Sequence, residues 1–194
     1  MKNKFYAVMS RMKYIYRWGL MRNTRPENLS EHSLEVAQIA HALALLNNNR
    51  LGGTVDPNAT AVAAMYHDTS EILTGDLPTP IKYRNNEIKT AYKQIEAAAQ
   101  GQLTDLLPED FKDAFHTVYN PDEDVTRLVK AADKISALIK CTEEQNSGNR
   151  EFDEAKKSVL QAIENLHCPE ADIFLEEFMP AFSLTLDEQS PLRR

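Results

Sequence analysis

Glycine is scarce in this chain, six residues in 194, and the scarcity argues against a fold rich in tight turns and β hairpins. Cysteine is scarcer still. Cys141 and Cys168 lie far apart and outside any CxxC spacing, the pattern of two ordinary thiols in a reduced, intracellular protein. Long apolar runs are missing too. Charged or polar residues interrupt each of them near the basic N-terminus before a signal-peptide core forms. No stretch approaches the roughly 20 apolar residues a membrane span needs. The expectation is a soluble, cytoplasmic protein without a membrane partner. A net charge of −7 argues against DNA or RNA as the main partner. Acidic residues are absent from positions 1–26, which hold Lys2, Lys4, Arg11, Lys13, Arg17, Arg22 and Arg25. Such a segment is either a positive rim that attracts a small anion or a solvated helix face, and for Lys2, Lys4 and Arg11 the solvated face is the preferred reading. Arg17 differs because it adjoins Trp18, the single tryptophan.

What is present is helical periodicity along the whole length, with no composition shift, internal repeat or linker to divide it. One all-α domain over 1–194 is expected. Phe5, Val8, Met9, Met12, Ile15 and Tyr16 form a stripe on an N-terminal helix that Gly19 would end. Asn28 and Glu31 have capping-box spacing and open a helix whose buried side carries Val36, Ile39, Ala40, Leu43 and Leu46. Asp56-Pro57 starts another, which ends near His67-Asp68. Further helices are expected at about 86–104, 108–118, 121–145, 150–166 and 169–184.

Chemistry concentrates at His32, His67, Asp68 and Asp133, each inside a stretch that reads as helix. Two imidazoles and two carboxylates are a complete ligand set for a divalent metal, and drawn from three helices they would meet in a bundle core. An ionised Asp68 beside an apolar Ala-Met-Tyr run needs a partner, and Asp133 shares a partly apolar stripe with Val129 and Ala137. A lone histidine is usually structural or superficial, and His41, His116 and His167 read that way.

The segments RWGLMRN (17–23), RPENLSEHSLEVA (25–37), AMYHDTSEILTGDLPTP (64–80) and KAADKISALIK (130–140) resemble the HD-domain phosphohydrolases, and within them the bacterial YfbR-like 5'-deoxynucleotidases. The resemblance runs from the first helix to SLTLDE near the C-terminus and implies a helical bundle of the HD type with its metal-binding core at about 28–140. It implies a single divalent ion held by His32, His67, Asp68 and Asp133, with manganese or cobalt supporting activity. The donor set itself also admits zinc, iron, nickel or copper. The implied substrate is a deoxyribonucleoside 5'-monophosphate, and the implied assembly a homodimer. The apolar residues Phe174, Phe178, Met179, Phe182 and Leu184 are available for contact, or for the core.

Roles for the flanking residues follow from the same chemistry. Asp68 can orient the attacking water, and Glu71, three residues on along a continuing helix, can deliver a proton to the leaving 5'-oxygen. Its bland alternative is an exposed helical glutamate. Arg17 offers a planar donor fork to phosphate. Trp18 is by residue type more often a core anchor, but the resemblance makes it the wall that rejects a 2'-hydroxyl. After Gly75, the loop Asp76-Leu77-Pro78-Thr79-Pro80 is stiffened by its prolines. Asp76 would accept from a 3'-hydroxyl and Thr79 would bind sugar or phosphate, unless Asp76 merely caps a turn. His32, His67, Asp68, Asp133, Leu77 and Pro78 would complete the substrate's surroundings. The alternatives are another HD activity, on nucleoside triphosphates or guanosine tetraphosphate, or a non-catalytic metal-bound nucleotide sensor. The first should demand more basic residues than Arg17, Lys82 and Arg84, and the second has no need of a positioned acid such as Glu71.

Overall fold

The computed structural model describes residues 3–82 and 84–190; Lys2 lies outside them. The described chain is all α, in one domain, with a single isolated bridge between Tyr16 and Asn28 in place of any sheet. Two long helices, α2 (Leu29–Arg50) and α8 (Glu123–Asn146), lie side by side at its centre. Val36, Ile39, Ala40, Leu43 and Leu46 on α2 are all buried, and they meet Leu128, Ala131, Ala132 and Ile135 of α8. α3 (Pro57–Met65) adds Ala63 and Ala64. Alanines on three helices let the backbones approach closely, which tightens the bundle where it must hold side chains in register. α9 (Asp153–Glu164) and α10 (Pro169–Glu177) close the far side through Ile163 and Phe174. Met179 and Phe182 also pack on this core, while Phe178 and Leu184 remain 40% and 43% exposed.

A smaller aromatic cluster forms where α1 (Phe5–Met9) meets α6 (Asn86–Thr104) and α7 (Glu109–Tyr119). Phe5 and Phe115 sit edge to face with ring centroids 4.9 Å apart.

Local chemistry fixes the helix starts. The Asn28 carboxamide accepts from the Ser30 and Glu31 amides, and Glu31 reaches back to the Asn28 amide, closing the capping box. Asp56 caps α3 ahead of Pro57, as its sequence predicts.

Three expectations fail, one of them at the last long helix, which ends at Glu177 and gives way to a 3₁₀ turn over Met179–Ser183 instead of running to 184. The N-terminal helix does not run to Gly19: α1 ends at Met9, a tighter 3₁₀ turn covers Ser10–Tyr14, and Ile15 is extended. The backbone there pairs instead with the start of α2, Leu29 N–H donating to Ile15 and Arg17 N–H to Glu27, so Tyr16 is exposed rather than part of the buried stripe. His67 and Asp68 are not helical either. α3 stops at Met65, turns cover 66–70, and a new short helix, α4 (Glu71–Thr74), follows.

Candidate metal centre

The ladder between Ile15–Arg17 and Glu27–Leu29 brings Arg17 and Trp18 beside the first turn of α2, where His32 is fully buried. Across from it, the turns after α3 present His67 and Asp68, and α8 presents Asp133. The four side chains offer ligand atoms that all lie within 4.8 Å of one another. Asp68 Oδ2 stands 3.1 Å from His67 Nε2 and 3.5 Å from His32 Nε2, and Asp133 Oδ1 is 3.3 Å from His32 Nε2.

Both imidazoles are set for coordination through the same nitrogen. His67 Nδ1 lies 2.7 Å from the Ala64 carbonyl, an acceptor, so Nδ1 carries the proton and Nε2 keeps its lone pair. His32 Nδ1 is 3.1 Å from Ser136 Oγ, whose own hydrogen goes to Glu35 at 2.6 Å. Ser136 therefore accepts from Nδ1 and leaves His32 Nε2 facing the cluster. Both Nε2 atoms are buried without a hydrogen-bond partner, an arrangement that is costly unless a ligand completes it.

Charge points the same way. Burial and Arg17 lower the His32 pKa, but Asp133, Asp68 and Glu27 outweigh them and raise it to about 10, so the position strongly attracts positive charge. Burial works against ionisation of Asp68 and Asp133, yet both are held below the usual carboxylate range, Asp68 chiefly by His67 and His32 and Asp133 by Lys134 and His32. Two fixed carboxylates and two Nε2 atoms aimed at one point make a His/Asp site suited to a divalent metal, which would take the place of a proton on His32.

Arg17 flanks this point. Its Nη1 is 3.3 Å from Asp68 Oδ2 and its Nη2 is 3.9 Å from Asp133 Oδ1, while its Nε is buried with no hydrogen-bond acceptor. Burial lowers its pKa, but Asp68, Asp133, Glu27 and Asp76 more than compensate and hold the group protonated.

Glu71 reaches the same side by a turn, not along a continuing helix: its amide donates to the Asp68 carbonyl at 3.0 Å. It is 4% exposed and so is no ordinary surface glutamate. Burial, with Asp68 and Asp76, pushes its carboxyl well above the usual range against the opposing Arg17 and Lys82. Such a group is protonated at neutral pH.

Asp76 follows Gly75, whose φ of 74° suits glycine at the break. Its carboxyl is raised by burial and lowered by Arg17 and the Trp18 backbone amide, which places it beside both. Leu77 and Pro78 are half-buried on the same loop. Thr79 is exposed at the start of α5 (Thr79–Lys82) and is not brought into the cluster by any hydrogen bond among the described residues. Trp18 is half-buried. His116 and His167 are exposed and His41 half-buried, away from the cluster as expected.

Sequence reading missed four residues around the cluster: Lys134, whose Nζ lies 2.8 Å from Asp133 Oδ2, and Ser136, Glu35 and Glu27. Ser136 and Glu35 each lie three positions after a member of the cluster, Asp133 and His32 respectively, on the same helix face, a spacing that was available as a signal. Glu27 had none: its Oε2 accepts from Trp18 Nε1 at 2.6 Å, and its Oε1 lies 3.3 Å from His32 Nδ1 and 3.7 Å from Arg17 Nε.

Comparison with known proteins gives a consistent picture. Residues 4–182 match the family described as 5'-deoxynucleotidase YfbR-like. A 5'-deoxynucleotidase of Vibrio cholerae is 51% identical over 192 residues, covering 97% of this chain and 99% of that protein. The 5'-deoxynucleotidase YfbR of Escherichia coli is 48% identical over 97% of this chain and 96% of its own length. Among solved structures, an HD-domain phosphohydrolase from Listeria innocua superposes with a TM-score of 0.80 at 24% identity, covering 92% of this chain and 88% of that one. A cyanophage S-2L HD phosphohydrolase, solved with dA and one catalytic zinc ion, gives 0.66 at 18% identity over 90% of this chain and 95% of its own. These two likenesses concern the fold.

Proposed function

The chain belongs to the YfbR-like 5'-deoxynucleotidase family, and from that premise we propose how its residues carry out the reaction and on which substrates. It is a metal-dependent phosphoric monoester hydrolase, a 5'-deoxynucleotidase that converts deoxyribonucleoside 5'-monophosphates and water to deoxynucleosides and phosphate. The observation that carries the site assignment is the pair of buried, unpartnered Nε2 atoms facing Asp68 and Asp133.

In this reading His32, His67, Asp68 and Asp133 hold one divalent ion. When bound, the ion polarises a phosphoryl oxygen and makes hydroxide accessible near neutral pH. Arg17, preorganised by three carboxylates, presents its guanidinium to the phosphate and fixes it for in-line attack. Asp68 orients the attacking water. Glu71, protonated because it is buried beside Asp68 and Asp76, gives its proton to the departing 5'-oxygen. Asp76 accepts from the 3'-hydroxyl, Trp18 walls the C2' edge, and Leu77, Pro78 and Thr79 line the sugar side. No base-reading motif is recognisable in the sequence, so base identity should matter little.

Manganese or cobalt is the proposed ion, with zinc, iron, nickel and copper as competitors for the same donors. A homodimer in the cytoplasm is the proposed state, and a concentration-independent monomer mass in light scattering would count against it. Nucleoside triphosphates and guanosine tetraphosphate fit less well: Lys82 is engaged by Glu96 at 2.7 Å and Lys134 by Asp133 at 2.8 Å, so these cations beside the cluster are already paired with carboxylates.

The test is phosphate release from ribo- and deoxyribonucleoside mono-, di- and triphosphates, with each metal in turn. Release confined to deoxyribonucleoside monophosphates is expected. Preferential turnover of triphosphates would overturn the substrate assignment.

A further inference from the structure

Trp18 has a backbone φ of 59°, in the left-handed region that is strained for a bulky residue. Something must hold it there. Its indole N–H donates to Glu27, and its ring packs on Phe152 with centroids 5.3 Å apart. Phe152 itself is fully buried and is covered by the Lys140 ammonium, 5.5 Å from its centroid.

The segment carrying Phe152 clasps the Trp18 loop at further points. Asn149 Nδ2 donates to the Arg22 carbonyl at 2.7 Å, and Glu151 accepts from both the Arg22 amide and Nε at 2.7 Å. The 149–152 segment and the 18–22 loop therefore behave as one unit, although more than 120 residues separate them in the chain. Glu27 supplies the other restraint. One oxygen takes the indole and the other faces His32 and Arg17, so the sugar wall, the phosphate arm and a metal ligand share a single carboxylate.

We propose that Phe152 and Glu27 are positioning residues for Trp18, which fix the plane of the indole against the sugar and thereby set discrimination between deoxyribose and ribose. This rests on the reading of Trp18 as the wall at C2'. An indole free to tilt by a rotamer step leaves room for a hydroxyl, and a pocket that is merely apolar rejects that group by only about 10²-fold. The fixed plane supplies the rest.

Phe152→Leu removes the stacked ring and touches neither phosphate nor metal. Glu27→Gln keeps the shape but offers one acceptor where two are used. The measurements are kcat/KM for dAMP and AMP, bound metal per chain, and the emission maximum and anisotropy of Trp18, whose fluorescence is the only indole signal in the protein. For Phe152→Leu, dAMP turnover should stay within about twofold while the dAMP/AMP ratio falls about tenfold or more, with red-shifted, less anisotropic emission. For Glu27→Gln the ratio should fall with the same spectral change, accompanied by a higher KM because Arg17 loses a neighbour. Trp18→Ala is the companion variant. If it lowers the ratio while Phe152→Leu and Glu27→Gln do not, the positioning inference fails and the wall stands. If Trp18→Ala leaves the ratio unchanged, the wall itself fails. Should Phe152→Leu not fold, as circular dichroism would reveal, Glu27→Gln decides by the same ratio.

Discussion

Helix α8 carries two buried polar clusters on one side, about three turns apart, and they are finished in opposite ways. At its C-terminal end Glu144 is 1% exposed and has every need met from within the chain. It accepts from the Thr24 amide at 2.9 Å and hydroxyl at 2.7 Å, from Asn149 at 2.8 Å, and from Lys140, whose ammonium also reaches the Arg25 carbonyl. Near its middle, Asp133 and its neighbours leave His32 Nε2, His67 Nε2, Glu71 Oε2 and Arg17 Nε buried without hydrogen-bond partners. Burial alone therefore distinguishes nothing. A closed inventory marks a place where the chain is tied to itself, and an open one marks a place built for something the chain does not contain.

The comparison breaks most completely at the open cluster. Asp133→Ala or His67→Ala should abolish bound metal and activity together, since four protein ligands leave little redundancy, while the fold survives because each loses only one local bond, Asp133 that to Lys134 and His67 that to the Ala64 carbonyl. Stoichiometric metal with normal turnover in either variant, by elemental analysis and phosphate assay, would remove that residue from the ligand set. Glu71→Ala is the next step down. Metal and substrate binding should persist while kcat falls roughly 10²- to 10⁴-fold, the scale of a lost positioned acid. A raised KM with unchanged kcat would make Glu71 a binding group and require another proton source.

At the closed cluster the effect should move from rate to stability. Glu144→Ala leaves the buried Lys140 charge without its carboxylate and the Thr24 amide unpaired, and should cost roughly 3–5 kcal/mol in denaturant unfolding, with metal binding kept in the folded fraction. A variant as stable as the parent but unable to bind metal would reverse the assignment of the two clusters.

Acid sharpens the contrast least but most specifically. Burial raises the Glu144 pKa, but Lys140, Thr24 and Asn149 outweigh it and draw the carboxyl down to about 2, below its ordinary value near 4.5. A folded-state pKa below the unfolded one means stability that is fully present above about pH 4.5 and is lost as pH falls toward 2. The gap between parent and Glu144→Ala should therefore narrow across that window, and a gap constant from pH 5 to 2.5 would remove the ion pair from its cause.

Much of this was legible in the sequence where a local pattern carries the information. The capping box at Asn28 and Glu31, the Asp56-Pro57 start and the buried stripe from Val36 to Leu46 depend on residues within a few positions of one another. The cluster of His32, His67, Asp68 and Asp133 was legible chiefly through the resemblance carried by the segments around it, since two histidines and two aspartates so widely spaced are a weak signal alone. The end of the first helix was not, since the pairing of Ile15 and Arg17 with Glu27 and Leu29 competes with helix and wins through contacts the stripe does not encode. Nor was the turn after Met65, where the pull of the cluster on His67 and Asp68 overrides helical continuation. Phe152 and Glu27 were illegible for a plainer reason. Their partners are chosen by the fold, and no spacing links position 152 to position 18.

The wide placement of the four convergent side chains also has a consequence for how the protein comes into being. During synthesis His32, His67 and Asp68 are all made before Asp133, which arrives 65 residues later, 133 minus 68. Until α8 has been made and has docked on α2, the early residues can offer only a partial, exchangeable hold on any ion. Completion of the site is then a late event, coupled to formation of the central helix pair itself. An ion bound only by the finished arrangement stabilises it increasingly as its free concentration rises, so on the proposed ligand assignment the supply of metal should act on the yield of folded chains as well as on their turnover.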